Sequence, residues 1–152
     1  MPTTAQPILC PFRVAVDTRE QHPWSFLGIE QGGEPLLVTT APVGLRTGDY
    51  SILGCENQIA IERKSLPDAY GTFGAGRDRW ERELVRLSEM EFAAVVIEAS
   101  WSAVLSYRPV SASEGKRRFT ARSFFASVLA WQMRYSRVQW WFCASRQFAE
   151  RV

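Results

Sequence analysis

Three side chains in residues 48–68, GDYSILGCENQIAIERKSLPD, are of types that can do chemistry together: Asp49, Glu62 and Lys64. Asp49 stands just ahead of a short apolar run, Tyr50-Ser51-Ile52-Leu53. The chain turns at Gly54-Cys55-Glu56-Asn57 and returns as Gln58-Ile59-Ala60-Ile61-Glu62-Arg63-Lys64. Two β-prone runs with Gly and Asn between them predict a hairpin. On the returning strand the side chains alternate, so Glu62 and Lys64 share one face while Ile61 and Arg63 share the other. Crossing strands can then bring Asp49, Glu62 and Lys64 together at a strand end. Two carboxylates and one ammonium make a poor core but suit a hard metal. Mg²⁺ takes oxygen ligands at about 2.0–2.1 Å, commonly one or two carboxylates with water and phosphate completing the shell. Such a metal lowers the pKa of its water and offsets charge on a phosphodiester under attack. Lys64 would orient that water or stabilise the developing oxyanion. A bare Glu-x-Lys is by itself more often a surface ion pair.

The flanking elements must hold that group. The run Phe-Arg-Val-Ala-Val-Asp at 12–17 reads as a first strand ending in Asp17, which places Asp17 and Glu20 where open α/β sheets hold their ligands. An Asp-Thr turn with a surface ion pair is the plainer reading of the same residues. Residues 34–40 offer a second strand, as an antiparallel edge, with a loop at 42–45 leading into the hairpin. Ser65 as N-cap and Pro67 in the first turn predict a short helix after Lys64. Asp68 there would fix Arg63 or Lys64, or would merely favour the helix dipole. Residues 71–76, Gly-Thr-Phe-Gly-Ala-Gly, read as a mobile loop over the site, without the Gly-Lys-Ser/Thr ending of a P-loop. A helix follows over 77–90, with Trp80, Leu84 and Leu87 on one face and Arg79, Arg82 and Arg86 on another. Asp78 and Arg82 are spaced for an i,i+4 pair. Arg77 is nearest the Gly loop and is the arginine placed on DNA. The apolar run 92–98 is the mark of a buried parallel strand, with Glu98 near the site or in a loop. Residues 106–119 form a basic connection containing Lys116, Arg117 and Arg118. Thr120 caps a helix to about Tyr135, then a strand at 138–143 and a short helix at 145–152 close the chain.

The segment Gly48-Asp49, then Glu62-Arg63-Lys64, then Asp68, resembles the GD…ERKxxxD signature of the XPF-type structure-specific DNA nucleases. Val16-Asp17-Thr18-Arg19-Glu20 resembles that family's first-strand D-x-R-E segment, and Gly76-Arg77 is similar to the start of its next helix. Three separated segments match in order. The resemblance implies an α/β fold with a restriction-endonuclease-like mixed β-sheet flanked by helices on both faces. Residues 1–11, rich in Pro and Thr, read as a flexible tail, and the length as a single domain over 12–152, which the resemblance makes a nuclease. The resemblance also implies Mg²⁺-dependent cleavage of DNA at branched or flap-like structures, with Mn²⁺ able to substitute. The metal would be held by Asp49, Glu62 and Asp17, together with the main-chain carbonyl of Arg63. Lys64 and Arg63 complete the catalytic set, and Arg19, Glu20, Asp68, Arg77, Lys116, Arg117 and Arg118 would support it or grip DNA. Domains of this family are similar in pairing through the C-terminal region. Trp131, Trp140 and Trp141 therefore read as a face for a homodimer or heterodimer, or equally as plain core. The length leaves no room for the tandem helix-hairpin-helix module that commonly follows the domain, so branch recognition would fall to a partner protein.

Composition narrows the alternatives. The chain has 152 residues, 46% of them hydrophobic, and six Trp, enough for one domain with a real core. The three cysteines are odd in number and widely spaced, which argues against a zinc site or disulfide framework. No run approaches the roughly 20 apolar residues of a membrane helix, and the N-terminus lacks a secretory pattern. An intracellular setting, the cytoplasm or nucleoid of a prokaryote or its virus, or a nucleus, is expected. His22, the single histidine, has no second histidine or nearby cysteine to ligate with and reads as structural. Net charge is +2 but uneven. Residues 1–76 carry five Arg/Lys against eight Asp/Glu, net −3, and the remainder carries thirteen against eight, net +5. Acid gathered at the site and base beside it suit a nucleic-acid enzyme better than a small-molecule one. A non-catalytic DNA-binding or scaffold subunit of the same fold would show a broken acidic set, and this set is intact. A nuclease of this fold acting on RNA or plain duplex DNA is the third reading.

Overall fold

The structure is a computed structural model that describes residues 6–108 and 119–152. The strands are β1 (Ile8–Asp17), β2 (Glu30–Gln31), β3 (Glu34–Val43), β4 (Tyr50–Ile52), β5 (Ile59–Lys64), β6 (Phe92–Ile97) and β7 (Val138–Phe142). The helices are α1 (Leu66–Phe73), α2 (Arg77–Ser88), α3 (Trp101–Ser106), α4 (Ala121–Arg134) and α5 (Arg146–Arg151). Each of α1, α3, α4 and α5 starts at a Ser or Thr whose side chain accepts from a first-turn amide: Ser65, Ser100, Thr120 and Ser145. These caps satisfy amides that would otherwise have no partner.

The sheet runs in the order β2-β3-β1-β4-β5-β6-β7. It is mixed: β1 pairs with β3 in parallel, β4 is antiparallel to both β1 and β5, and β5, β6 and β7 are parallel. Because β4 opposes both neighbours, β1 and β5 point the same way. The C-terminal ends of β1, β5 and β6 and the N-terminal end of β4 therefore meet at one end of the sheet. That end carries Asp17, Asp49, Glu62 to Lys64, and Glu98.

Both faces of the sheet are used, as period-2 alternation on a buried strand requires. On β6, Ala93, Val95 and Ile97 enter a core with Phe73 of α1, Trp80 and Leu84 of α2, Val104 of α3, and Phe124 and Trp131 of α4. Ala94 and Val96 face the other side, with Val14, Trp24, Tyr50 and Ala149 of α5. Trp24 stacks on Tyr50 at 4.4 Å between centroids, which seals the loop after β1 onto the sheet.

Several local expectations change. β1 begins at Ile8 rather than Phe12. β3 is parallel to β1, and the antiparallel edge is the short β2. The stretch 71–76 is no open loop: α1 runs through Phe73, which is fully buried, and only 74–76 form a turn. The expected Asp78–Arg82 pair is not formed among the described residues, and Arg77 pairs with Glu81 instead. α3 was not anticipated, although Ser100 ahead of the apolar run Ala103-Val104-Leu105 is a fair cap signal. Trp131 and Trp140 belong to the core, stacked 6.1 Å apart, so of the three C-terminal tryptophans only Trp141 is exposed.

Candidate active site

Asp49 is laced between two strands. Its N–H donates to the Ile61 carbonyl and its own carbonyl accepts from Asp17, both at 2.8 Å. The preceding residue has to be glycine. Gly48 sits at φ +75°, and a Cβ there would lie 3.0 Å from the Ile61 carbonyl oxygen. The Asp49 carboxylate accepts a 2.7 Å hydrogen bond from the Arg63 amide. Glu62, on the inward face of β5, is paired with Lys64 Nζ. All three line one cleft of about 600 Å³ that is open to solvent.

The electrostatics of this group are lopsided. Burial, and then the charge of Glu62, push the Asp49 carboxyl up to about 7, with the Arg63 amide pulling the other way. Burial likewise raises Glu62, against the pull of Lys64. Burial would lower Lys64, but the charge and hydrogen bond of Glu62 hold it above the ordinary lysine value. Lys64 is therefore a standing cation, a donor rather than a base. It also lies 5.2 Å from the Trp80 ring centroid. A buried carboxylate, Glu62, and a half-buried one, Asp49, share one ammonium, which leaves a deficit of positive charge.

Asp17 lies at the end of β1 beside this pair, 3% exposed. Oδ1 accepts from the Arg19 amide and Nε, and Oδ2 from Arg19 Nη2 and the Leu45 amide, all at 2.7–3.0 Å. Burial would raise this carboxyl, but those donors hold it below its ordinary value. A carboxylate offers about four acceptor positions, and here all are taken. Asp17 thus clamps Arg19 and the bend at Leu45. Arg63 Nε and Nη2 meet Glu98 at 2.7 and 2.9 Å, and Nη1 faces Glu20 at 3.4 Å. Asp68 lines the same cleft and bonds the Ser65 hydroxyl, the helix-start alternative.

With that geometry in hand, the profile described as ERCC4 domain matches residues 16–151. The chain belongs to the ERCC4 domain family. By structure it is similar to XPF from Aeropyrum pernix, with a TM-score of 0.62 and 24% identity, over 91% of this chain and 59% of that one. It is similar also to XPF from Aeropyrum pernix in complex with DNA, with a TM-score of 0.60 and 25% identity, over 91% of this chain and 60% of that one. The chain thus spans about three fifths of the length of these two structures. Among curated proteins none matches the sequence.

The remaining ERCC4-domain residues divide by position. Arg77 is not brought to the cleft: its guanidinium lies 4.6 Å from the Trp131 ring centroid and donates to Ser127 Oγ at 2.8 Å, holding α2 to α4. The arginines that do line the cleft are Arg19, Arg46, Arg79 and Arg86 beside Arg63. Lys116, Arg117 and Arg118 lie outside the described residues. His22 is exposed on the cleft rim. Glu83 was missed. From α2 it accepts from the Thr47 hydroxyl and, at 3.3 Å, from the Gly48 amide, pairs with Arg86, and so pins the bend that presents Asp49. A glutamate on an arginine-rich helix looks like solvated surface, and only the buried Thr47 opposite it gives it a role. Among the described residues no three His, Cys, Asp or Glu side chains converge into a ready metal cluster.

Proposed function

We propose that the protein is a divalent-metal-dependent endonuclease that hydrolyses phosphodiester bonds in DNA at branched or flap-like structures. The observation that carries this reading is the pair of half-buried Asp49 and buried Glu62 in an open cleft, with Lys64 paired to Glu62. Membership of the ERCC4 domain family and the likeness to an XPF solved with DNA support it.

The donor set fits a hard cation. Two carboxylates that resist ionising together lack positive charge, and an all-oxygen set suits Mg²⁺ or Mn²⁺ rather than a soft metal. Asp49 and Glu62 would hold the ion, with the Arg63 main-chain oxygen as a third donor. When bound, it supplies Lewis-acid stabilisation of the phosphate and an activated water. Lys64, held protonated by Glu62, donates toward charge developing on the phosphate oxygens and keeps the nucleophilic water oriented. Asp17 anchors Arg19 at the cleft with its side chain 71% exposed, where the guanidinium can meet a neighbouring phosphate. Arg46 and Arg79 widen that cationic rim.

In this reading the protein pairs through its C-terminal region, as a homodimer or with a related chain. The exposed side chains Phe125, Leu129 and Met133, spaced i, i+4 and i+8 on α4, are the apolar stripe that suits such a contact. A helix-hairpin-helix partner protein would then supply branch recognition.

The test is a panel of labelled flap, fork, junction, linear duplex and single-stranded DNAs, with an RNA counterpart, incubated with Mg²⁺. Wild type should cut branched DNA first, and Asp49→Ala and Glu62→Ala should leave it intact. Identical products from all three proteins would remove the hydrolytic reading and favour a scaffold role. Preferential cutting of RNA or plain duplex would keep the chemistry and overturn the substrate.

A further inference from the structure

Glu98, just past the C-terminal end of β6, is a buried acid that neither holds the cation nor meets the phosphate in the mechanism above. Its side chain is 8% exposed. The carboxylate takes both Nε and Nη2 of Arg63 in a fork, and Oε1 also accepts from Trp24 Nε1 at 2.8 Å. Its amide donates to the Lys64 carbonyl at 2.9 Å, so side chain and main chain both tie the end of β6 to the end of β5. Arg146 of α5 approaches the same carboxylate at 3.5 Å while donating to the His22 and Pro23 carbonyls.

The consequence falls on Arg63. Its side chain is only 11% exposed, its fork is filled by Glu98, and its remaining terminal nitrogen faces Glu20. A guanidinium enclosed and neutralised in this way is a strut rather than a phosphate grip. Its amide, by contrast, makes the sole hydrogen bond that the Asp49 carboxylate receives among the described residues. The main chain of Asp49 is held by Ile61 and Asp17, so the Arg63 amide decides how its carboxylate is oriented.

We propose that Glu98 is a positioning residue for this site. By gripping the Arg63 guanidinium it fixes the Arg63 amide, and through that amide the Asp49 carboxylate. The proposal rests on the hydrolytic reading for its catalytic consequence, but its structural core stands without it. Misplacing a catalytic group by about 1 Å can cost on the order of 10²-fold in rate, and losing a group that orients a metal ligand typically costs about 10–100-fold.

The experiment compares the wild-type chain, Glu98→Gln, Arg63→Lys and the double variant. Two readouts are taken: steady-state cleavage, and solvent exchange of the Arg63 amide by NMR without metal. Glu98→Gln and Arg63→Lys should each lower kcat by about 10–100-fold, with KM changed by less than about twofold. The double variant should be no slower than the worse single one, because both changes break one link. Arg63 amide exchange should speed up in every variant. Should Glu98→Gln fail to fold, Glu98→Asp, shorter by one methylene, gives the same amide readout. Unchanged Arg63 exchange in a folded variant would overturn the proposal. So would a loss confined to KM, or single effects that multiply in the double. If wild type cuts nothing, the hydrolytic reading falls, and amide exchange still decides whether Glu98 holds Arg63.

Discussion

The carboxylates of Asp17, Asp49 and Glu62 lie close in the fold, yet their surroundings give them different work. Asp17 is saturated by donors and held below its ordinary pKa, whereas burial raises both Asp49 and Glu62, with the charge of Glu62 adding to the rise at Asp49 and those of Glu83 and Glu20 to the rise at Glu62. A depressed acid contributes stability that is present above its unfolded value and lost as pH falls through the folded one. Asp17→Asn should therefore lower stability near neutrality by about 1–3 kcal/mol, the cost of leaving the Leu45 amide and Arg19 poorly paired. Thermal melts across acid pH should show a shallower acid limb in the variant than in wild type, and parallel limbs would refute the assignment. Lys64 works as a donor in the proposed reaction. Lys64→Gln should reduce cleavage by about 10²–10³-fold, as when one transition-state donor is removed, while cation binding measured by calorimetry persists. Loss of cation binding in that variant would move Lys64 from donor to scaffold. The trio itself was legible in the sequence because a hairpin and period-2 alternation are local rules. The Arg63–Glu98 fork was not, since its partners are 35 residues apart and meet only through the parallel β5–β6 register. The Arg77–Ser127 contact was hidden for the same reason, since the two lie 50 residues apart.

Elements matter here through the bend at residues 44–48, which delivers Asp49 into the cleft. Gly48 supplies a positive φ and a close approach to Ile61, and Glu83 of α2 grips the bend from outside. Gly48→Ala should cost on the order of 1–3 kcal/mol from backbone strain, with further crowding against the Ile61 carbonyl. Denaturant unfolding reads that cost directly, and a variant as stable as wild type would mean the bend relaxes freely. The helices were readable from caps and apolar spacing, as Ser65, Thr120 and Ser145 show. The extension of α1 through Gly71 was not, because Phe73 inserts into a cluster with Trp80, Phe124 and Trp131 that outweighs the glycine's poor helix propensity. The parallel placement of β3 was hidden as well. It depends on a chain reversal through residues 18–29 whose anchors are tertiary: Trp24 on Tyr50, and Ser25 donating to Glu150.

For the whole molecule, the mixed sheet gathers its functional groups at one end and leaves apolar side chains exposed on α4 at another place. Leu129→Asp combined with Met133→Glu should shift the protein toward monomer in sedimentation if that stripe pairs two chains. An unchanged sedimentation profile would take pairing away from α4. The family was legible at this scale because its signature lies in short, ordered segments, while the recruitment of Trp131 and Trp140 into the core required the folded packing. Hydrolysis at this end of the sheet requires that Asp49 and Glu62 form a cation site. The most direct measurement is calorimetric titration of Mn²⁺ into wild type, Asp49→Ala and Glu62→Ala between about pH 5.5 and 8.5. A carboxyl raised to about 7 in the free protein must lose its proton to bind a cation. Wild-type affinity should then fall by about tenfold per pH unit below neutrality, with proton uptake by the buffer. Both alanine variants should bind at least tenfold more weakly. Equal Mn²⁺ affinity in all three proteins, independent of pH, would contradict the account.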